Sequence, residues 1–122
     1  MIRLVFCLRK RDELSREEFQ DYWRNQHAPL VRSHAAALGI RRYVQLHSID
    51  DAVSQAVAGA RNPPAPYDGV AELWFDSIEA LAAAGTTDAA RAAGAELLED
   101  EAKFIDLGRS PFFFADERVI VE

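Results

Sequence analysis

Hydrophobic spacing changes its period several times along this chain. Over residues 2–8 (IRLVFCL) it alternates, with Ile2, Leu4, Phe6 and Leu8 on one face and Arg3, Val5 and Cys7 on the other, which predicts a strand apolar on both sides. From residue 14 the steps become three and four. Phe19, Tyr22, Trp23, Gln26, His27, Leu30 and His34 fall on one helical face, opposite Arg16, Glu17, Asp21 and Arg24. Ser15 with Glu18 makes a capping box, and Leu14 with Phe19 a hydrophobic staple, so a helix starts at Ser15. Pro29 has no N–H for the carbonyl of Asn25, and its ring pushes Ala28 away from the helical region. A kink or restart is predicted there, with continuation to Leu38 and a stop at Gly39.

Beyond that stop, residues 40–47 predict a second strand with Ile40, Arg42, Val44 and Leu46 facing one way and Arg41, Tyr43, Gln45 and His47 the other. The second set is too polar for a plain core face. Residues 48–68 break the pattern: a weakly helical half is followed by the proline-rich RNPPAPYD, and a connection of this length is expected to act as a flap. Gly69–Phe75 predicts a third strand, with Val70, Glu72 and Trp74 opposed to Ala71, Leu73 and Phe75. An alanine-rich helical region follows from Ile78 toward Phe104, interrupted near Gly85-Thr86-Thr87, and residues 111–121 predict a last strand. The order strand, helix, strand, strand, helix, strand is the split βαβ arrangement: an α+β, ferredoxin-like domain with a four-stranded antiparallel sheet and both helices on one face. Residues 1–122 make a single domain. The other sheet face carries apolar side chains with nothing to cover them, and a two-fold homodimer joined sheet to sheet is the simplest closed solution.

Composition narrows the function classes. With 49% hydrophobic and 28% charged residues the chain has the makeup of a folded domain, and disorder is not expected. Fourteen basic against 20 acidic residues give a net charge of −6, which disfavours nucleic acid and anionic membrane as partners. A single cysteine, Cys7, excludes an intrachain disulfide and fits a small buried hydrophobe. The apolar run at residues 2–8 is too short to span a bilayer, and its charges follow it instead of preceding it, so a cytoplasmic protein is expected.

Four segments, SREEFQDYWRNQHAPLV, GIRRYVQLH, YDGVAELWFDSIEAL and FIDLGRSPFFFADERVIV, together resemble the EthD family of the dimeric α+β barrel superfamily. The likeness covers nearly the whole chain in order, and the tyrosine–tryptophan pair ahead of HAPL is its most telling piece; the 48–68 insert, His34 and His47 depart from a minimal member. The resemblance implies a ferredoxin-like protomer, a dimer, and a pocket between helices and sheet. EthD itself is associated with a bacterial ether-degradation system and fungal relatives with aromatic polyketide pathways. Superfamily relatives include cofactor-free monooxygenases, cyclases, decarboxylases, and dehalogenating or haem-degrading enzymes.

Such a pocket needs a base, aromatic walls and a donor for a developing oxyanion. His27, with an unperturbed pKa of about 6.5, is the candidate base, and its other reading is a hydrogen-bonded core histidine. Tyr43 or Gln45 can hydrogen-bond the enolate left when a phenol, anthrone or 1,3-dicarbonyl loses its proton. Tyr22, Trp23 and Trp74 can sandwich a planar ligand, or belong to the core. His47, on the strand face of Tyr43 and Gln45, is a second acid–base candidate or an exposed strand end, and His34 is assigned a structural role. His27 and His34 lie seven residues apart with no acid spaced to join them, so no metal is expected; haem is not called for, and no cofactor is expected. The expected function is a cofactor-independent oxidoreductase acting on a hydrophobic aromatic or polyketide-like molecule through a His base. The alternatives are a non-oxidative cyclase or decarboxylase in the same pocket, or a carrier serving a separate oxygenase.

Overall fold

The computed structural model describes residues 1–122. Strand β1 (Ile2–Leu8) lies inside a four-stranded sheet of order β2-β3-β1-β4, flanked by β3 (Gly69–Phe75) and β4 (Phe112–Ala115), while β2 (Arg42–His47) pairs only with β3. Every pairing is antiparallel. The registers Leu4↔Leu73, Phe6↔Ala71 and Phe6↔Phe112 set one face against the helices, and the pairs Arg3↔Trp74 and Val5↔Phe113 set the other face outward. This is the α+β, ferredoxin-like arrangement. No helix is long and apolar enough to cross a membrane.

The first helical stretch differs from its expected form in one respect. The capping box at Ser15 and Glu18 is made, α1 runs Arg16–Tyr22, and α2 runs Ala28–Leu38 to a left-handed Gly39 at φ 75°. Between them Pro29 does not break the helix. Trp23–His27 forms a π-turn in which the Ala28 N–H donates to the Trp23 carbonyl, and Ala28 itself stays helical at φ −58°, ψ −43°. The wider turn accommodates the N–H that Pro29 lacks without opening the chain. It also changes which residues face inward. Phe19, Trp23, His27 and Val31, at successive four-residue steps, are the buried ones, while Gln26 is exposed.

The alanine-rich region is two helices, α4 (Ile78–Ala84) and α5 (Asp88–Glu101), capped by Ser77 and Thr87. Here α4 and α5 are numbered after α3 (Ala52–Gly59), a helix inside the 48–68 segment whose N-cap is Asp51. The remainder of that segment is held by Arg9, which donates to the carbonyls of Ala65 and Pro66 and lies over the Tyr67 ring at 4.3 Å. Leu8, Phe19, Trp23, Ala71, Phe104 and Ile105 form the core where β1, α1 and the end of α5 meet.

The last strand is four residues long, not the 111–121 expected. Charged Asp116, Glu117 and Arg118 end it, with Glu117 accepting from Arg3, and Val119, Ile120 and Val121 are solvent-exposed. β2 likewise starts at Arg42 and not at residue 40.

Candidate functional site

A cavity of about 400 Å³ lies between the inner sheet face and the helices. Leu4, Phe6 and Leu8 of β1 with Ala71 and Leu73 of β3 make its floor, and the π-turn and α5 make its roof. Its open side is rimmed by the partly exposed Leu98, Leu107 and Phe112. Thirteen of the sixteen lining side chains are hydrophobic; the exceptions are His27, Glu101 and Ser110, and Tyr43 adds a phenol.

His27 reaches this wall from the last position of the π-turn. Its ring is buried, packs on Phe104 at 5.1 Å, and places Nδ1 2.7 Å from Asp100 Oδ2. The other oxygen of Asp100 accepts the Tyr22 hydroxyl at 2.5 Å, and Lys103 Nζ lies 3.4 Å away. Burial raises the Asp100 carboxyl, but hydrogen bonds from Tyr22, His27 and Lys103 outweigh it and hold the group below the usual aspartate value. Burial and the Asp100 contact push Tyr22 up to about 12, so it remains a donor. Burial lowers His27, and Asp100 offsets that only in part, leaving a neutral imidazole. An ionised carboxylate only accepts, so Nδ1 carries the proton and Nε2 keeps its lone pair for the cavity.

Burial also raises the Tyr43 phenol, which lines the same cavity, and keeps it protonated. Its oxygen accepts from Gln45 Nε2 at 2.9 Å, which leaves its own O–H free to donate. The same Gln45 amide donates to the Trp23 carbonyl at 2.9 Å, the carbonyl that closes the π-turn, and Gln45 Oε1 pairs with His47 Nε2 at 2.8 Å. The His47 ring stacks on Trp23 at 4.6 Å.

The structure therefore brings His27, Trp23 and Tyr43 together on one cavity wall and sets the other expected site residues behind it or elsewhere. Tyr22 acts through Asp100. Gln45 and His47 form a supporting layer under Tyr43 and Trp23, and neither lines the cavity. Trp74 is on the far face of the sheet, between the guanidinium groups of Arg3 and Arg42 at 4.3 and 4.6 Å, because strand alternation turns it away from Leu73. It cannot sandwich a ligand with Trp23. His34 pairs with Glu96 at 2.8 Å at the surface. Residues 48–68 add no side chain to the wall, and no three His, Cys, Asp or Glu side chains converge as a metal site.

Two site residues escaped the sequence reading, Asp100 and Glu101, both at the end of α5. Their signal is spacing: Ala90, Ala93, Leu97, Asp100 and Phe104 recur at three and four, so an aspartate sits on the buried stripe. Glu101, the next residue, turns into the cavity, where burial and then the charge of Asp100 push its carboxyl up to about 7.

The EthD domain matches residues 11–108, most of the chain. The chain belongs to the EthD family. Among solved structures, an EthD family protein from Bacillus halodurans is similar at 22% identity with a TM-score of 0.63, over 97% of this chain and 99% of that one. An EthD-like protein from Ralstonia eutropha aligns at 20% identity and a TM-score of 0.61, over 99% and 94%. SnoaB from Streptomyces nogalater, a cofactor-independent oxygenase, shares the fold at 13% identity and a TM-score of 0.57, over 98% and 95%. Further neighbours include dimeric ferredoxin-like proteins from Bacteroides fragilis and Thermobifida fusca. No curated protein matches significantly in sequence.

Proposed function

We propose that the cavity of this EthD-family protein binds a flat, hydrophobic aromatic or polyketide-like molecule, and that His27, oriented by Asp100, is the base of a cofactor-independent oxygenation. The observation that carries this reading is the arrangement of the imidazole: one nitrogen is fixed on an ionised carboxylate and the other is presented to an apolar cavity. The fold shared with SnoaB supports it.

In an anthrone-like ligand, the acidic methylene gives a proton to His27 Nε2, Asp100 stabilises the imidazolium, and the Tyr43 hydroxyl donates to the enolate oxygen. The carbanion's electron pair goes to dioxygen as a C–O bond forms, and the imidazolium returns its proton to the peroxide. Loss of water then leaves a carbonyl where the methylene stood, one oxygen atom ending in the product and one in water. Glu101 favours a second reading, intramolecular aldol cyclisation, because a carboxyl with a pKa of about 7 can protonate the carbonyl that the same carbanion attacks.

Tryptophan fluorescence titration with phenols, anthrones and β-diketones, with and without oxygen, tests both on native and His27→Ala protein. Oxygen-dependent conversion by the native protein, slowed by about 10²–10⁴-fold in His27→Ala with binding retained, is the expected result. Conversion without oxygen selects the cyclase, and saturable binding with no conversion in either form leaves a carrier. We further infer that two copies pair through the outer sheet face, as its neighbours' dimeric state suggests.

A further inference from the structure

The oxygenation proposed above uses His27 and Tyr43 and leaves the Glu101 carboxyl without a task. Glu101 is the last residue of α5 and projects into the same wall as His27 and Tyr43. No hydrogen bond holds its carboxyl; its surroundings act on it only through burial and the neighbouring charge of Asp100. The residue is half-buried and its oxygens remain open to the cavity, so a ligand hydroxyl can take the place that water otherwise fills.

The charge around it has one sign. No lysine or arginine lines the cavity, and Lys103 is engaged with Asp100 in a separate surface groove beside Gln26 and Glu99. We propose that Glu101 selects the ligand: the cavity admits uncharged aromatic molecules bearing a hydroxyl that Glu101 hydrogen-bonds, and it excludes carboxylated ones. This rests on the ligand-binding reading above and narrows its substrate class. A hydroxyl suits Glu101 in either protonation state, donating to the carboxylate or accepting from the acid. A ligand carboxylate instead adds a negative charge near Asp100 and Glu101 against a largely apolar wall with no cation to meet it. An aromatic acid awaiting decarboxylation is therefore a poor occupant.

Naphthalene, naphthol and naphthoate share one ring system and differ only in the group presented to Glu101. Their affinities are read at pH 7 from Trp23 quenching in Trp74→Phe protein, which removes the second of the chain's two tryptophans from the far face of the sheet. Naphthol is expected to bind about tenfold tighter than naphthalene and naphthoate at least about tenfold weaker than naphthol. Glu101→Gln is expected to raise naphthoate affinity by about tenfold and leave naphthalene unchanged. Equal affinity for naphthol and naphthoate in Trp74→Phe protein, or an unchanged ratio in Glu101→Gln, overturns the proposal. The first of these comparisons decides even if Glu101→Gln fails to fold. Equal binding of all three ligands defeats only the selectivity, whereas quenching by none defeats the ligand-binding reading as well.

Discussion

Burial moves His27 and Glu101 in opposite directions on the pH scale and toward the same state, uncharged. For His27 the consequence is kinetic. Its neutral form persists below the ordinary histidine value, so the acid limb of a kcat/KM profile should fall below about pH 6.5, and a limb above that value would show that another group is the base. For Glu101 it is thermodynamic. The folded pKa of about 7 exceeds the ordinary 4.5, so between these values the folded state holds the extra proton, and stability falls as pH rises through that window. Glu101→Gln should therefore be more stable than the native protein above pH 7, on the order of 2 kcal/mol after allowing for solvent screening, and about equal to it below pH 4.5. Thermal melts at both extremes check this; the titratable groups that surround the carboxyl and stay in place are the ionised Asp100 and the uncharged His27 and Tyr43. At this scale His27 was legible because a histidine on an aromatic helical face is conspicuous. Asp100 was not, since its role depends on a contact 73 residues away in sequence. Trp74 lies off the site for a simpler reason: strand alternation sets it opposite Leu73, and that alternation outweighs its aromatic character.

Among the elements, the caps and the glycine stop were readable because each is a local exchange of hydrogen bonds. The π-turn was not. Proline announces that an N–H is missing, but whether the helix breaks or widens depends on what packs against it, here Gln45 from β2 donating to the Trp23 carbonyl. The fit of this turn to the sheet is close. A Cβ on Gly69 would overlap the benzene ring of Trp23, so Gly69→Ala must displace that ring from the core and cavity wall. The expected cost is about 1–3 kcal/mol, read as a lowered urea midpoint, together with weakened ligand quenching. A midpoint equal to the native one would mean that the ring has room to move.

For the whole molecule, fold class was legible from element order, because six elements in that order admit few un-knotted arrangements. The extent of the last strand was not, since hydrophobic residues near the end of the chain carry the same pattern whether or not a neighbour pairs with them. The outer face that such residues share holds Val5, Val44 and Phe113, the last 51% exposed. If it is the seam between two copies, Phe113→Asp should elute as a monomer on gel filtration with its circular dichroism intact, and an unchanged elution volume counts against that seam. Strand β4 gives the seam a second aspect. Its Phe112 and Phe114 turn toward the cavity side while Phe113, between them, turns outward, and the strand is tied to the sheet by β1 alone. A molecule seated against Phe112 thus steadies the same short ribbon that a neighbouring copy would grip. Filling the cavity should slow the exchange of subunits between differently labelled dimers, making the lifetime of the assembly a clock for occupancy.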